Sequence, residues 1–206
     1  MRIAILSDIH SNALALEAVV RSRKFQKCDI YLNVGDAIGY NSNSSEVIQK
    51  LIDYNFFSIK GNHEELLIRA LSNNYQYEDL SNTIDIGKLT KIEDLDSTQI
   101  EFIKNLPASL VLNDGEAKIH VHHGTPESIF QYLYPDFKHN ELGFIIPEDC
   151  RWLILGNTHW PMIRYTKNTT ILNPGSVGQP RNFSSNAHWA ILDTTTSEIC
   201  FLQEKY

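Results

Sequence analysis

Five short segments set a carboxylate, carboxamide or imidazole directly after an apolar run: Asp8-Ile9-His10, Gly35-Asp36, Gly61-Asn62-His63-Glu64, His120-Val121-His122-His123-Gly124 and Gly156-Asn157-Thr158-His159. Any one of them has an ordinary reading, because an aspartate after a strand commonly caps a turn or the next helix. Their repetition is the signal. Oxygen and imidazole donors in combination suit a divalent ion such as manganese, iron, zinc or nickel. In open α/β sheets, functional groups gather beyond the carboxyl ends of the strands. Five strand ends that carry such groups predict one shared pocket. Asp8 and His10 are two residues apart, so extended backbone would turn both side chains to the same side.

Such a pocket needs strands to deliver its groups, and the hydrophobic pattern supplies them. "RIAILSD" reads as a buried strand and "SNALALEAVVRSRKF" as a helix, with Ser11 or Asn12 available as its cap. A strand "DIYLNVGD", a helix "SSEVIQKLIDY", a strand "FFSIKGN" and a helix starting at "HEELLIRAL" follow. Strands alternating with helices imply a parallel sheet covered by helices. Residues 73–105 are polar with few apolar positions, which predicts a helical insertion within a single domain spanning 1–206. "SLVLNDGEAKIHVHHG" then predicts a hairpin turning at Asn113-Asp114-Gly115. "RWLILGN", "PMIRYT", "TTILN" and a closing hairpin "HWAILDTTTSEICFLQ" make the second half mostly β. The expected architecture is α/β, with two mixed β-sheets packed face to face and helices outside them, a four-layer α/β/β/α sandwich.

Composition narrows the class of protein. A chain of 206 residues can bury a sizeable core without disulfides. A formal charge of -7 argues against a broad nucleic-acid-binding face. Cys28, Cys150 and Cys200 are odd in number, far apart and form no Cys-x-x-Cys pair, so they read as free buried thiols in a reducing compartment. The apolar run at the N-terminus stops at Asp8, and no run approaches the ~20 apolar residues of a membrane span. A cytoplasmic protein with no membrane partner is expected.

Taken in order, the five segments resemble the calcineurin-like metallophosphoesterases. The likeness extends to "NPGSVGQPR" at 173–181 and is similar to the small bacterial and archaeal phosphodiesterase-like branch, whose members also carry "GDxxGY" and "NPGSVGQPR" stretches. The resemblance implies a two-metal centre. Asp8, His10 and His159 would hold the first ion, Asp36 would bridge both, and Asn62 and His123 would hold the second. Manganese is the leading candidate, with iron, zinc or nickel as alternatives. The expected reaction is hydrolysis of a small phosphodiester, a nucleotide or a dinucleoside polyphosphate by a metal-bridging hydroxide. His63 would act on the leaving group as the catalytic imidazole. Arg181 would face substrate phosphate through its guanidinium fork, or else pair with a surface carboxylate. Asn62 is expected to touch substrate as well as metal.

Two positions stay open on sequence alone. The family places a ligand immediately before the glycine of the fourth segment, which selects His123, and leaves His122 to support or packing. The last segment usually reads Gly-His-x-His, and here Asn157 stands in place of the histidine. It is either a weaker oxygen ligand or a loop residue. Asn173, Gly175 and Gly178 are expected to shape a tight loop beneath the metals. Tyr40, Tyr132 and Tyr134 either stack on an aromatic part of the substrate or pack. Specificity is expected in loops such as 73–96 and 125–147. Rival readings are a nuclease and a non-catalytic metal-binding interaction module of the same fold.

Overall fold

The computed structural model describes residues 1–72, 94–115, 117–137 and 146–206. The chain begins with β1 (Arg2–Leu6), α1 (Ala13–Val20), β2 (Ile30–Asn33), α2 (Ser44–Asp53), β3 (Phe57–Ser58) and α3 (Asn62–Ser72). Helix α4 (Ser97–Lys104) follows, then β4 (Ser109–Asp114), β5 (Ala117–His122), β6 (Cys150–Ile154), β7 (Pro161–Tyr165), β8 (Thr170–Pro174), β9 (Ala187–Asp193) and β10 (Glu198–Glu204). They form two five-stranded mixed sheets, ordered β10-β9-β1-β2-β3 and β4-β5-β6-β8-β7. Two packed mixed sheets with flanking helices are therefore what the chain builds, as its pattern predicts. Most of the expected helical insertion lies outside the described residues, and α4 is its described part.

Period-two alternation sorts the side chains. Ile3 and Ile5 of β1 join Leu32, Ile119, Val121, Trp152, Ile154 and Leu172 between the sheets, while Ala4 and Leu6 face the helices. Leu16 and Val19 of α1, Ile48 and Leu51 of α2, Leu67 of α3 and Ile103 of α4 share that helix-facing cluster. Each such buried side chain contributes about 1.5–3 kcal/mol before conformational entropy is set against it. On the far side of the second sheet, Leu133, Leu153, Leu155, Met162 and Ile171 form a third cluster.

Local chemistry places the element ends. Asn12 caps α1, its side chain accepting from the Ala15 N–H, and Asp96 and Gln99 form a reciprocal capping box on α4. Pro161 opens edge strand β7, where its missing N–H costs no ladder bond. Cys28 and Cys150 are buried, as expected, but Cys200 is exposed: it lies on β10, the outermost described strand of the first sheet. No described helix is long and apolar enough to cross a membrane.

Parallel pairing fixes where the chemistry collects. β1, β2 and β3 run parallel, so their carboxyl ends share one edge of the first sheet. β5 and β6 run parallel in the second sheet. The loops leaving these five strands carry the five polar segments.

Candidate metal centre

The loops are joined main chain to main chain. Past the end of β1, Asp8 N–H donates to Gly35 O (3.1 Å), His10 N–H to Asp36 O (2.9 Å) and Ser11 N–H to Ala37 O (2.8 Å). Gly156 N–H reaches His123 O at 2.8 Å, and Gly178 N–H reaches Asp8 O at 3.1 Å. The loop 173–181 braces the floor, as expected for Asn173, Gly175 and Gly178. The buried Asn173 amide donates to Gly156 O at 2.7 Å, Gly175 N–H donates to Asn173 Oδ1 at 2.9 Å, and Ser176 Oγ donates to Asp8 O at 2.7 Å.

The backbone at the site corrects one expectation. Asp8 and His10 do converge, but not along extended chain: β1 ends at Leu6, and Asp8 (φ 54°) and His10 (φ 48°) are left-handed. Asp36 (φ 54°), Tyr40 (φ 59°), Asn157 (φ 68°) and His159 (φ 62°) are left-handed too. Asp, Asn and His tolerate this region better than most residues, and its concentration in the loops of one pocket marks that pocket as a candidate site.

Three histidines are oriented in the same way. His10 Nδ1 donates to Ile38 O (3.1 Å), His123 Nδ1 to Val34 O (2.7 Å) and His159 Nδ1 to Gln179 O (2.6 Å). A carbonyl can only accept, so each Nδ1 carries its hydrogen, and in the neutral ring each Nε2 presents a lone pair. Those lone pairs face acceptors. His10 Nε2 and His159 Nε2 stand 3.1 Å apart, and His123 Nε2 stands 3.0 Å from Asn62 Oδ1. Asp8 Oδ1 is buried without a hydrogen-bond partner and lies 3.3 Å from His159 Nε2. Asp36 Oδ2 lies 3.3 Å from His123 Nε2 and 3.8 Å from His10 Nε2.

Apposed acceptors at 3 Å repel unless a cation or proton sits among them. Burial holds the His10 and His159 imidazoles below their ordinary range, which withholds a second proton from that pair. His123 behaves oppositely: burial lowers it, but the Asp36 carboxylate outweighs burial and raises it to about 10. Burial would likewise raise Asp36, but the His123 and His63 imidazoles hold its carboxyl below the usual carboxylate range. The pocket therefore draws positive charge. Donor atoms of Asp8, His10 and His159 lie within 4.8 Å of one another, and so do those of Asp8, Asp36 and His123. This donor set fits a divalent-cation centre.

His63 is different. Its ring is buried and reaches 3.8 Å from Asp36 Oδ2, close enough to group with His10 and Asp36. Its Nδ1, however, has no hydrogen-bond partner and no carbonyl to orient it. The ring lies over Gly39 (φ 95°), where a Cβ would collide with the imidazole. His122 lies outside this set. It lines a cavity of about 360 Å³ with Lys60, Arg69 and His123, and burial lowers its imidazole to about 4. The Arg181 guanidinium acts electrostatically on the Tyr132 hydroxyl and on His159; among the described residues no carboxylate pairs with it.

Glu64 is the site residue that sequence reasoning left without a role. Its buried carboxylate accepts from Asp36 N–H (2.9 Å), Ile38 N–H (3.1 Å) and Gly61 N–H (2.7 Å). Burial and the Asp36 charge raise its pKa. It clasps the loop after β2 to the start of α3, and truncating it would leave three buried N–H groups unmet at about 1–3 kcal/mol each. The available signal was glutamate three residues after Gly61 at a helix start, half of a capping box.

The model for the calcineurin-like phosphoesterase superfamily domain matches residues 1–197. The chain belongs to that superfamily. A curated relative, the uncharacterized protein MJ0912 of Methanocaldococcus jannaschii, is 27% identical over 99% of this chain and 87% of its own length. The metallophosphoesterase from Sphaerobacter thermophilus shares the fold with TM-score 0.78 and 24% identity, covering 100% of this chain and 89% of that one. The hypothetical protein PH1004 of Pyrococcus horikoshii OT3 does so with TM-score 0.80 and 21% identity, covering 100% and 88%.

Asn157 stands where the resemblance leads one to expect a histidine. Its N–H donates to Asp8 Oδ2 (3.2 Å), and its side-chain Nδ2 donates to Gln131 O (3.3 Å). The amide thus ties the loop carrying Gln131 to the pocket. If the side chain at 157 reaches a bound ion, Asn157→His is expected to tighten manganese binding by about tenfold, since imidazole is the better donor to a transition metal. Titration of metal-free wild type and variant with manganese reads this directly. Equal affinities would make Asn157 a loop residue only.

Proposed function

We propose that the chain hydrolyses a small phosphate ester, a phosphodiester or a nucleotide or dinucleoside polyphosphate, with two divalent ions and manganese as the first choice. The observation that carries this reading is the crowding of buried ligand atoms on either side of Asp36, His10 Nε2 against His159 Nε2 and His123 Nε2 against Asn62 Oδ1, the second contact bridged by the His123 proton when no cation is bound. Asp8, His10 and His159 would hold one ion, Asn62 and His123 the other, with Asp36 shared between them. The ions would lower the pKa of water and neutralise charge on phosphoryl oxygens.

The chain's own residues do the rest. His63 reaches the pocket beside Asp36 and acts on the departing oxygen, as a proton donor or as a positive charge. Arg181 orients the phosphoryl group from the His159 side. The cavity beside His123 is about 360 Å³, a volume that suits a small ester. Lys60 (2.7 Å) and Arg69 (2.8 Å) both pair with Glu65 at its edge, which offsets one of their two charges and leaves a single net positive charge, far short of a stripe that would track a nucleic-acid backbone.

The test is turnover of p-nitrophenyl phosphate and bis(p-nitrophenyl) phosphate by the purified chain with added manganese. Hydrolysis of at least one ester is expected, lost on chelation and restored by the metal. A folded chain that turns over neither ester with manganese, iron, zinc or nickel would instead be a metal-binding interaction module.

A further inference from the structure

The loop carrying Gln131 presents an aromatic surface next to the pocket. Within Tyr132-Leu133-Tyr134, Leu133 turns into the buried cluster beneath the second sheet, and the two tyrosines turn outward. Their rings stack nearly parallel, with centroids 5.7 Å apart and planes at 9°. Asn157 joins this loop to the centre, its Nδ2 donating to Gln131 O and its N–H to Asp8 Oδ2, and the Arg181 charge acts on the Tyr132 hydroxyl. Tyr134 also lines a second cavity of about 480 Å³ with Pro135, Asp136 and Trp160. Trp160 directly follows His159 in the chain.

The cavity wall is anchored. Arg164 on β7 donates to Pro135 O (3.1 Å) and Phe137 O (3.0 Å), and its guanidinium lies 5.0 Å from the centroid of the Phe137 ring. That clamp fixes the loop against the sheet, and Asn157 Nδ2 fixes its start at Gln131 O. Although the Tyr134 ring stacks on Tyr132, it remains 42% exposed, which leaves part of the ring open to the cavity.

We propose that the cavity between Tyr134 and Trp160 is a specificity subsite for a flat aromatic group on the substrate, a nucleobase, while the ester phosphate sits at the metal centre. Stacking supplies the affinity, and Asp136 at the cavity wall accepts from an exocyclic amine. The substrate is then a nucleoside phosphate ester. This inference rests on the phosphoesterase reading and narrows it.

Binding separates the two. Titration calorimetry of the full-length chain with manganese would compare adenosine 5′-monophosphate with ribose 5-phosphate, which lacks only the base. Adenosine 5′-monophosphate is expected to bind about tenfold tighter, and Tyr134→Ala to abolish that preference while leaving ribose 5-phosphate unchanged. Trp160→Leu should act in the same way, which guards against a single variant that folds poorly. Wild type that binds the two ligands alike, weakly or not at all, overturns the subsite, as does a Tyr134→Ala change that weakens both equally. A chain that hydrolyses the aryl esters but shows no preference for the base loses only the subsite. One that prefers the base but hydrolyses nothing keeps the base-binding subsite and loses the phosphoesterase reading, and with it the nucleotide's standing as a substrate.

Discussion

His63→Asn should lower turnover by about 10²–10⁴-fold and leave manganese content unchanged, because the imidazole is assigned to the leaving group and not to an ion. The surroundings of the ring favour a clean experiment. The hydrogen bond from residue 63 to Asp36 Oδ1, 2.9 Å, comes from the main-chain N–H and survives the substitution. The ring's Nδ1 makes no hydrogen bond that asparagine would forfeit. Stability should therefore move little, and the loss should fall on kcat. Metal content per chain and kcat, measured on the same preparation, check the claim. Loss of manganese in the variant would make His63 a ligand, and unchanged kcat would remove it from the chemistry.

Asp36→Asn should have a larger effect, at least about 10³-fold in turnover together with loss of bound manganese, since the proposed mechanism has its carboxylate shared between two ions. The substitution keeps the shape and can keep the acceptor for the His63 N–H. It removes the charge at Oδ2, which lies 3.3 Å from His123 Nε2 and 3.8 Å from both His10 Nε2 and His63 Nε2. The same charge raises the His123 imidazole, so that ring should also titrate far lower in the metal-free variant. Metal analysis, kcat and the His123 ring resonances report on the three consequences separately. Wild-type manganese content in a folded variant would contradict the shared role of Asp36.

Much of this arrangement was legible in the sequence because its periods are strong. Ile3, Ile5 and Ile119, Val121 alternate as strands between two sheets must, and the parallel order of β1, β2 and β3 follows from the helices between them. The convergence of Asp8, Asp36 and the histidine-rich fourth segment could then be read from strand ends, while the choice of His123 within that segment took the family resemblance. What stayed hidden depends on backbone paths that no period encodes. The left-handed turns at Asp8 and His10 replaced the extended chain expected there. Glu64 looked like an ordinary first-turn carboxylate because its partners Asp36 and Ile38 lie 28 and 26 residues away. The Tyr134–Trp160 cavity joins two loops that only the fold brings together. Cys200 looked buried because an edge strand carries the same apolar pattern as its inner neighbour.

Ile38, Val34 and Gln179 hold the three imidazoles through carbonyl oxygens, an atom that every amino acid supplies. Exchanging those side chains leaves the tethers in place, so relatives can diverge at all three positions without retuning the imidazoles. Sequence comparison is blind to half of what keeps this centre in order, and a homologue's integrity is better judged from the course of its loops than from its residue letters.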